Sequence, residues 1–237
     1  MGLSGGNLLT LDVQFGDFDD DGDLDLFTVN HDGSNALFTN LRRSRFEDIT
    51  ANCGLSTAGK SRTAAVGDYN NDGMPDLFVA GDAGHYQLYK NHGDGTFITD
   101  ERSVQVFSVL QGVTVYDAVF VDFDNDGYQD LVVAGTTENQ DKRGVHLFHN
   151  DSLRTFKDVS NLLPEKVKEG HHLEIEDFNE DGDLDIFLAG PDGIHLIRKF
   201  IPYASIAAIF PVIRIFLILN HYLTVKYLTN FIFTDYQ

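Results

Sequence analysis

Little in this chain is basic and almost none of it is thiol. Seventeen lysines and arginines stand against 37 aspartates and glutamates, giving a formal net charge of −20 over 237 residues. A surface of that sign repels phosphate backbones and anionic headgroups, which disfavours nucleic acid and acidic membranes as partners. Cys53 is the one cysteine, so no intrachain disulfide is possible and no paired-cysteine metal motif exists. Gly-x-Ser-x-Gly and His-Glu-x-x-His are missing too, and with them the usual signatures of serine hydrolases and zinc proteases. The N-terminus, Met1-Gly2-Leu3-Ser4-Gly5-Gly6, has no basic stretch followed by an apolar core, so no signal peptide is visible in it. At this length one elongated repeat domain is expected rather than two compact ones.

What the chain has in excess is aspartate, and the aspartates are arranged. Four runs share the form Asp-aromatic-[Asp/Asn]-x-Asp-Gly-x-x-Asp: Asp17 to Asp25, Asp68 to Asp76, Asp122 to Asp130 and Asp177 to Asp185. Calcium takes about six to eight oxygen ligands in a flexible cage, so oxygens at alternating positions of a tightly turning segment can wrap one ion. Positions one, three, five and nine supply them: Asp17, Asp19, Asp21 and Asp25; Asp68, Asn70, Asp72 and Asp76; Asp122, Asp124, Asp126 and Asp130; Asp177, Asn179, Asp181 and Asp185. Position six is always glycine (Gly22, Gly73, Gly127, Gly182), as a sharp turn through positive φ requires. Position seven varies among Asp23, Met74, Tyr128 and Asp183, which is compatible with a ligand offered by the backbone carbonyl. Position two is always aromatic (Phe18, Tyr69, Phe123, Phe178), an expected anchor into a core.

An EF-hand begins alike but needs a bidentate glutamate at position twelve and flanking helices. Position twelve here is Thr28, Val79, Val133 or Leu188. Each loop instead enters a β-rich apolar run (Leu26-Phe27-Thr28-Val29, Leu77-Phe78-Val79-Ala80, Leu131-Val132-Val133-Ala134, Ile186-Phe187-Leu188-Ala189), which reads as a buried strand. Metal-free loops would crowd their carboxylates, since a pair about 4 Å apart repels by roughly 4 kcal/mol at an effective dielectric near 20. Calcium binding is therefore expected to couple to folding. At ten times the dissociation constant each site adds roughly 1.4 kcal/mol, and four independent sites approach roughly 6 kcal/mol.

The first aspartates are separated by 51, 54 and 55 residues, a period that indicates a propeller or a solenoid. Four short strands fit each period. Leu9, Leu11, Val13 and Phe15 alternate with polar residues as in a half-buried strand, and the apolar run after the loop is the second strand. A third carries Leu37-Phe38-Thr39-Asn40, echoed by Leu88-Tyr89-Lys90-Asn91 and Leu147-Phe148-His149-Asn150. The fourth lies at Phe46-Glu47-Asp48-Ile49-Thr50, Phe97-Ile98-Thr99-Asp100 and Phe156-Lys157-Asp158-Val159-Ser160. Four antiparallel strands repeated radially make propeller blades, so the fold class is all-β with about four blades, part of a larger ring.

On these loops and echoes the chain, from about residue 9 to 199, resembles the FG-GAP or VCBS repeat family, whose blades build integrin α-subunit propellers. The connector Phe46-Glu47-Asp48-Ile49-Thr50-Ala51-Asn52-Cys53-Gly54-Leu55 looks most like the cartilage acidic protein branch of that family. The resemblance implies a propeller, usually of seven blades, with about four structural Ca²⁺ here, one per loop. It also implies an extracellular or cell-surface module for adhesion or for binding a protein or carbohydrate ligand, with an N-terminus internal to a longer protein. Some polysaccharide lyases resemble the fold as well and use propeller calcium to hold an acidic sugar. That alternative needs a positioned base and a cluster of cations, of which so acidic a chain has few. A propeller too incomplete for independent activity is a third reading.

The blades are assigned to residues 1–199. The echo fails at Leu196-Ile197-Arg198-Lys199, and residues 200–237 contain no calcium loop and a single acidic residue, Asp235. Residues 203–219 are almost wholly apolar, near the length of a membrane span, but Pro211 and Arg214 oppose insertion. A membrane partner is expected only if that run truly spans. A degenerate blade, an anchor, and truncation or altered reading of a longer gene are the alternatives for this tail, the last being favoured.

Two further patterns are weighed as decoys. Gly54-Leu55-Ser56-Thr57-Ala58-Gly59-Lys60-Ser61 matches a phosphate-binding loop, yet the next residues run straight into the second calcium loop and leave no room for the helix such a loop requires. Of nine histidines, His146 and His149 should point to opposite strand faces and cannot chelate together, and His171-His172 meet the same objection. Ordinary core or surface roles are expected for all of them. Asn150-Asp151-Ser152 fits a glycosylation sequon, usable only in a secreted eukaryotic chain.

Overall fold

The computed structural model describes residues 8–55, 59–139, 142–151, 155–191 and 193–197. Within them the chain forms four antiparallel sheets, each wound in simple sequence order. β1 (Thr10–Gly16), β2 (Asp25–Asn30), β3 (Ala36–Asn40) and β4 (Phe46–Asp48) make the first; β5 (Ser61–Gly67), β6 (Asp76–Gly81), β7 (Tyr86–Asn91) and β8 (Phe97–Thr99) the second. β9 (Val113–Val121), β10 (Asp130–Thr137), β11 (His146–Asp151) and β12 (Thr155–Asp158) make the third, and β13 (His172–Glu176), β14 (Asp185–Gly190) and β15 (Gly193–Ile197) the fourth, three-stranded among the described residues. These are propeller blades. Residues 200–237 lie outside the described residues, and with them the run 203–219. Among the described residues no helix is long and apolar enough to cross a membrane.

Every aspartate loop is the hairpin connection between the first and second strands of its blade. The ninth aspartate is the first residue of the second strand, and the residue just before the first aspartate pairs with it: Gly16 with Asp25, Gly67 with Asp76, Val121 with Asp130, Glu176 with Asp185. Glycine at position six takes φ between +83° and +89° in all four, the left-handed turn a side chain would strain.

The apolar core sits between blades rather than within them. In β6, Leu77 and Val79 join Phe18, Phe27 and Val29 of the first blade, while Phe78 and Ala80 join Phe120, Leu131 and Val133 of the third. In β10, Val132 and Ala134 turn the other way, to Leu173, Ile186 and Leu188 of the fourth. A strand covered on both faces has no polar face to keep, which is why these runs are continuously apolar. A helical connector, Glu101–Ser103, Val104–Phe107 and Ser108–Leu110, inserts Phe107 between the second and third blades, edge-on to Phe148 at 4.9 Å.

Stacking decides the exposure of equivalent residues. Phe120 is 8% exposed because it lies over Tyr69 of the preceding blade, ring centroids 6.4 Å apart; Phe15, two residues before the first loop as Phe120 is before the third, is 56% exposed. The first strand is thus a strand, but its apolar face of Leu9, Leu11, Val13 and Phe15 is open rather than half-buried, since no described residue packs there as an earlier blade. The aromatic anchors behave alike from the other side. Phe18, Tyr69 and Phe123 are buried, whereas Phe178 of the last blade is 49% exposed.

Candidate metal centres

The four loops repeat one hydrogen-bond plan. The first aspartate folds the turn over itself: Asp17 accepts from the amides of Asp21 and Gly22, Asp68 from Asp72 and Gly73, Asp122 from Asp126 and Gly127, and Asp177 from Asp181 and Gly182, all at 2.8–3.1 Å. The fifth-position aspartates Asp21, Asp72, Asp126 and Asp181 each accept from the amide two residues on. Position four is left-handed throughout, at Asp20, Asn71, Asn125 and Glu180. Carboxylates that cap amides in this way still have lone pairs pointing into the turn.

At the base of each loop the ninth aspartate is fully buried. Asp25 accepts from the amides of Phe18 (2.9 Å) and Asn40 (2.8 Å), Asp76 from Asn91 (2.8 Å), and Asp130 from Phe123 (3.2 Å) and Asn150 (2.7 Å). Burial pushes these acids up: Asp25 above the usual range, Asp130 to about 6 and Asp76 to about 7, in each case chiefly through desolvation.

Third-position residues complete the cage. One oxygen from each of Asp17, Asp19 and Asp25 lies within 4.8 Å of the others, and the same holds for Asp122, Asp124 and Asp126. Asp19 Oδ2 accepts from the Thr39 hydroxyl at 2.8 Å, while Asp19 Oδ1 is buried with no hydrogen bond, and so is Asn70 Oδ1 in the second loop. A buried oxygen without a donor is costly unless something else satisfies it. Converging hard oxygens, two of them unsatisfied, in a turn of this shape fit a calcium ion. Asn179 Nδ2 reaches Asp185 at 3.4 Å in the fourth loop, and Asn70 Nδ2 reaches Asp76 at 2.7 Å in the second. Position-seven side chains are engaged elsewhere in two loops: Asp23 with Arg42, and Asp183 with Asn125 of the neighbouring blade at 2.9 Å.

Two sets of residues gain a role that the sequence pattern alone hides. The asparagine closing the third-strand echo is one. Asn91 Nδ2 donates to the carbonyls of Pro75 (3.0 Å) in its own loop and Phe18 (3.1 Å) in the preceding one; Asn150 Nδ2 does the same to Gln129 (2.9 Å) and Tyr69 (2.6 Å). The residue before that asparagine is the other. Thr39 bonds Asp19, Lys90 Nζ pairs with Asp72 at 2.8 Å, and His149 Nδ1 lies 3.1 Å from Asp130 and 3.4 Å from Asp124. The hydrogen bond to Asp130 holds His149 above its ordinary pKa. Recurrence of Leu-[Phe/Tyr]-x-Asn was the available signal for both.

The decoys resolve simply. Ser61 begins β5, so the described residues after the glycine-lysine-serine pattern are strand, and the Lys60 amide donates to the His31 carbonyl in the connector; residues 56–58 of that pattern lie outside the described residues. His146 is buried away from the loop, its Nε2 2.8 Å from the Arg143 carbonyl. Ser152 of the sequon also lies outside the described residues.

A family model described as FG-GAP-like repeat matches residues 17–79, 68–133 and 122–188. Each match starts at the first aspartate of one loop and ends in the second strand of the next blade, so the matched unit contains one complete inter-blade contact. Cartilage acidic protein 1 of Homo sapiens and of Mus musculus are both 27% identical to the chain over 174 residues, covering 70% of it and 26% of theirs. The Xenopus tropicalis protein of the same name is 28% identical over 162 residues. The chain therefore spans about a quarter of the length of the curated relatives it matches. Among solved structures, an Agrocybe aegerita lectin described for specific recognition of non-reducing terminal N-acetylglucosamine superposes with a TM-score of 0.53 at 18% identity, over 81% of this chain and 50% of that one. A Dos1 propeller superposes with a TM-score of 0.50 at 14% identity, over 80% and 43%. These likenesses concern the fold.

Proposed function

Because the chain belongs to the FG-GAP-like repeat family, we propose that it is a calcium-stabilised β-propeller module that works outside the cell in adhesion or in binding a protein or carbohydrate ligand. Calcium is structural in this reading: the loop carboxylates hold about four ions, one per blade, and turn nothing over. The observation that carries it is the fourfold repetition of one cage, with its capped first aspartate, glycine at positive φ and fully buried ninth aspartate. The unsatisfied oxygens of Asp19 and Asn70 support it. Four divalent ions would also cancel eight of the twenty net negative charges.

An extracellular setting supports such sites, since modules of this kind work at about 10⁻⁴ to 10⁻³ M calcium. The name shared by the vertebrate relatives points to cartilage, an extracellular matrix. Arg42 and Lys90, the cations beside the first two loops, are committed to Asp23 and Asp72. That leaves the loop end of these blades acidic and favours a binding module over a lyase.

Calorimetric titration of the purified chain with calcium, with thermal unfolding followed in calcium and in chelator, tests the proposal. Binding of about four ions with a large rise in melting temperature is expected. A folded chain that takes up no calcium would end this reading.

A further inference from the structure

His149 sits where two sister blades carry different chemistry. In all three, the residue before the staple asparagine reaches into the loop of its own blade, and it is a hydroxyl in the first (Thr39), an ammonium in the second (Lys90) and an imidazole in the third. The side chains with which His149 makes contact are those that build the cage. Its Nδ1 lies 3.1 Å from Asp130 Oδ1 and 3.4 Å from Asp124 Oδ2, and one ligand atom from each of the three residues lies within 4.8 Å of the others. Two ligands of one tetrahedral centre with bonds of about 2.0–2.1 Å stand about 3.3 Å apart, which is the separation seen here.

The three groups are held in place independently of any ion. Asp130 is fully buried, and its Oδ1 accepts the Asn150 amide at 2.7 Å and His149 Nδ1 at 3.1 Å, the latter a hydrogen bond whose proton a bound metal would displace. Asp124 is anchored at position three of the loop. The His149 ring packs edge-on against Phe123, the second residue of that loop, with centroids 6.1 Å apart, so its orientation is fixed by the same turn that presents the carboxylates. His149 is therefore positioned by the β11 backbone on one side and by Phe123 on the other.

Calcium is a hard cation served by oxygen, whereas imidazole nitrogen suits zinc, cobalt and nickel far better. The entry of His149 beside Asp124 and Asp130 thus shifts the preference of the third loop from calcium toward a borderline divalent metal. We propose that the third blade holds a transition-metal site made of Asp124, Asp130 and His149, distinct in metal preference from the calcium-type loops of the other blades. This rests on the reading of the loops as cation sites and narrows it: the ion of the third blade is the transition metal, and calcium fills the other three loops. Thr39 leaves the first loop all-oxygen. Lys90 places a cation of the protein's own on Asp72, within the second loop.

The test is titration of the full chain with cobalt in a background of millimolar calcium, followed by visible absorption. One cobalt per chain is expected, with ligand-field bands that calcium does not erase. His149→Thr, which installs the residue found at the matching place in the first blade, should weaken cobalt binding at least tenfold and leave calcium binding in place. Thr39→His should create a second cobalt site beside Asp19 and Asp25. That gain keeps the test decisive even if the loss variant folds poorly. Cobalt displaced by an equal concentration of calcium, or affinity unchanged in His149→Thr together with no gain in Thr39→His, would overturn the proposal while leaving calcium binding standing. A chain that binds neither ion would overturn both.

Discussion

The side-chain amide of Asn91 donates to the main-chain carbonyl of Phe18, 3.1 Å away and 73 residues earlier in the chain. With one residue the protein fastens the third strand of one blade to the aspartate loop of the blade before it. Asn150 repeats the link to Tyr69. Among the described residues the side-chain amide of Asn40, in the first blade, closes on Leu24 of its own loop at 2.9 Å and on no other blade.

That difference predicts unequal mutational costs. Asn150→Ala leaves the carbonyls of Tyr69 and Gln129 without their buried donor, at about 1–3 kcal/mol each. Unfolding in denaturant should show a loss of about 2–6 kcal/mol, against under about 1 kcal/mol for the exposed link of Asn40→Ala. Equal losses would mean that the inter-blade bond contributes nothing.

Removal of calcium should destabilise the whole blade stack rather than one hairpin, because each loop shares its base with an inter-blade contact. Near-saturated sites together contribute roughly 6 kcal/mol, which corresponds to a fall in melting temperature on the order of 10–20 °C on chelation. Differential scanning calorimetry at fixed ionic strength would measure it, and a shift below a few degrees would contradict the coupling.

The metal-free protein should respond to pH in the opposite sense to most acidic proteins. Asp76 at about 7 and Asp130 at about 6 lie above the ordinary carboxylate value of 3.8. Between those values the native state binds more protons than the unfolded chain, so stability falls as pH rises through about 4 to 7 and is regained on acidification. The raised pKa of His149 acts in the same direction. In chelator, the melting temperature should therefore rise between pH 8 and pH 5.5; in saturating calcium it should fall, since protons then compete with the ion. Asp76→Asn should stabilise the chelated protein and blunt its calcium response. A chelated protein whose melting temperature drops on mild acidification would refute this.

Tyr69→Phe isolates one hydroxyl. Tyr69 donates to the buried carboxylate of Asp100 at 2.6 Å, while its ring lies over Phe120. Asp100 keeps Arg102, whose Nη2 is 2.7 Å away, so the variant should fold with its blades stacked and lose about 1–3 kcal/mol. A neutral result in denaturant titration would show that Arg102 alone satisfies Asp100.

Much of the fold was legible because its signals are local. The aspartate loops recur at fixed offsets, and the apolar runs after them stay apolar because both strand faces are covered. The same locality explains what was missed. The alternation of Leu9, Leu11, Val13 and Phe15 gives a strand and one apolar face, but nothing in the alternation says whether a neighbour lies against that face; in the described residues none does. Phe178 has the same sequence context as Phe18, Tyr69 and Phe123, yet it is half exposed because no blade follows it among the described residues. His149 could be separated from His146 by strand parity, and parity correctly sent the two apart. It could not reveal that the His149 side of the strand faces Asp124 and Asp130.

The sequence by itself determined the period, the turn at each aspartate run and the blade strands, since a turn with glycine at a set position and a strand with apolar residues on both faces are encoded within about ten neighbouring residues. Only the tertiary structure decided which blade covers which anchor, where the staple asparagines reach and which side chain enters each cage. Those contacts join residues up to 81 positions apart, and they come into being only when one sheet stacks on the next.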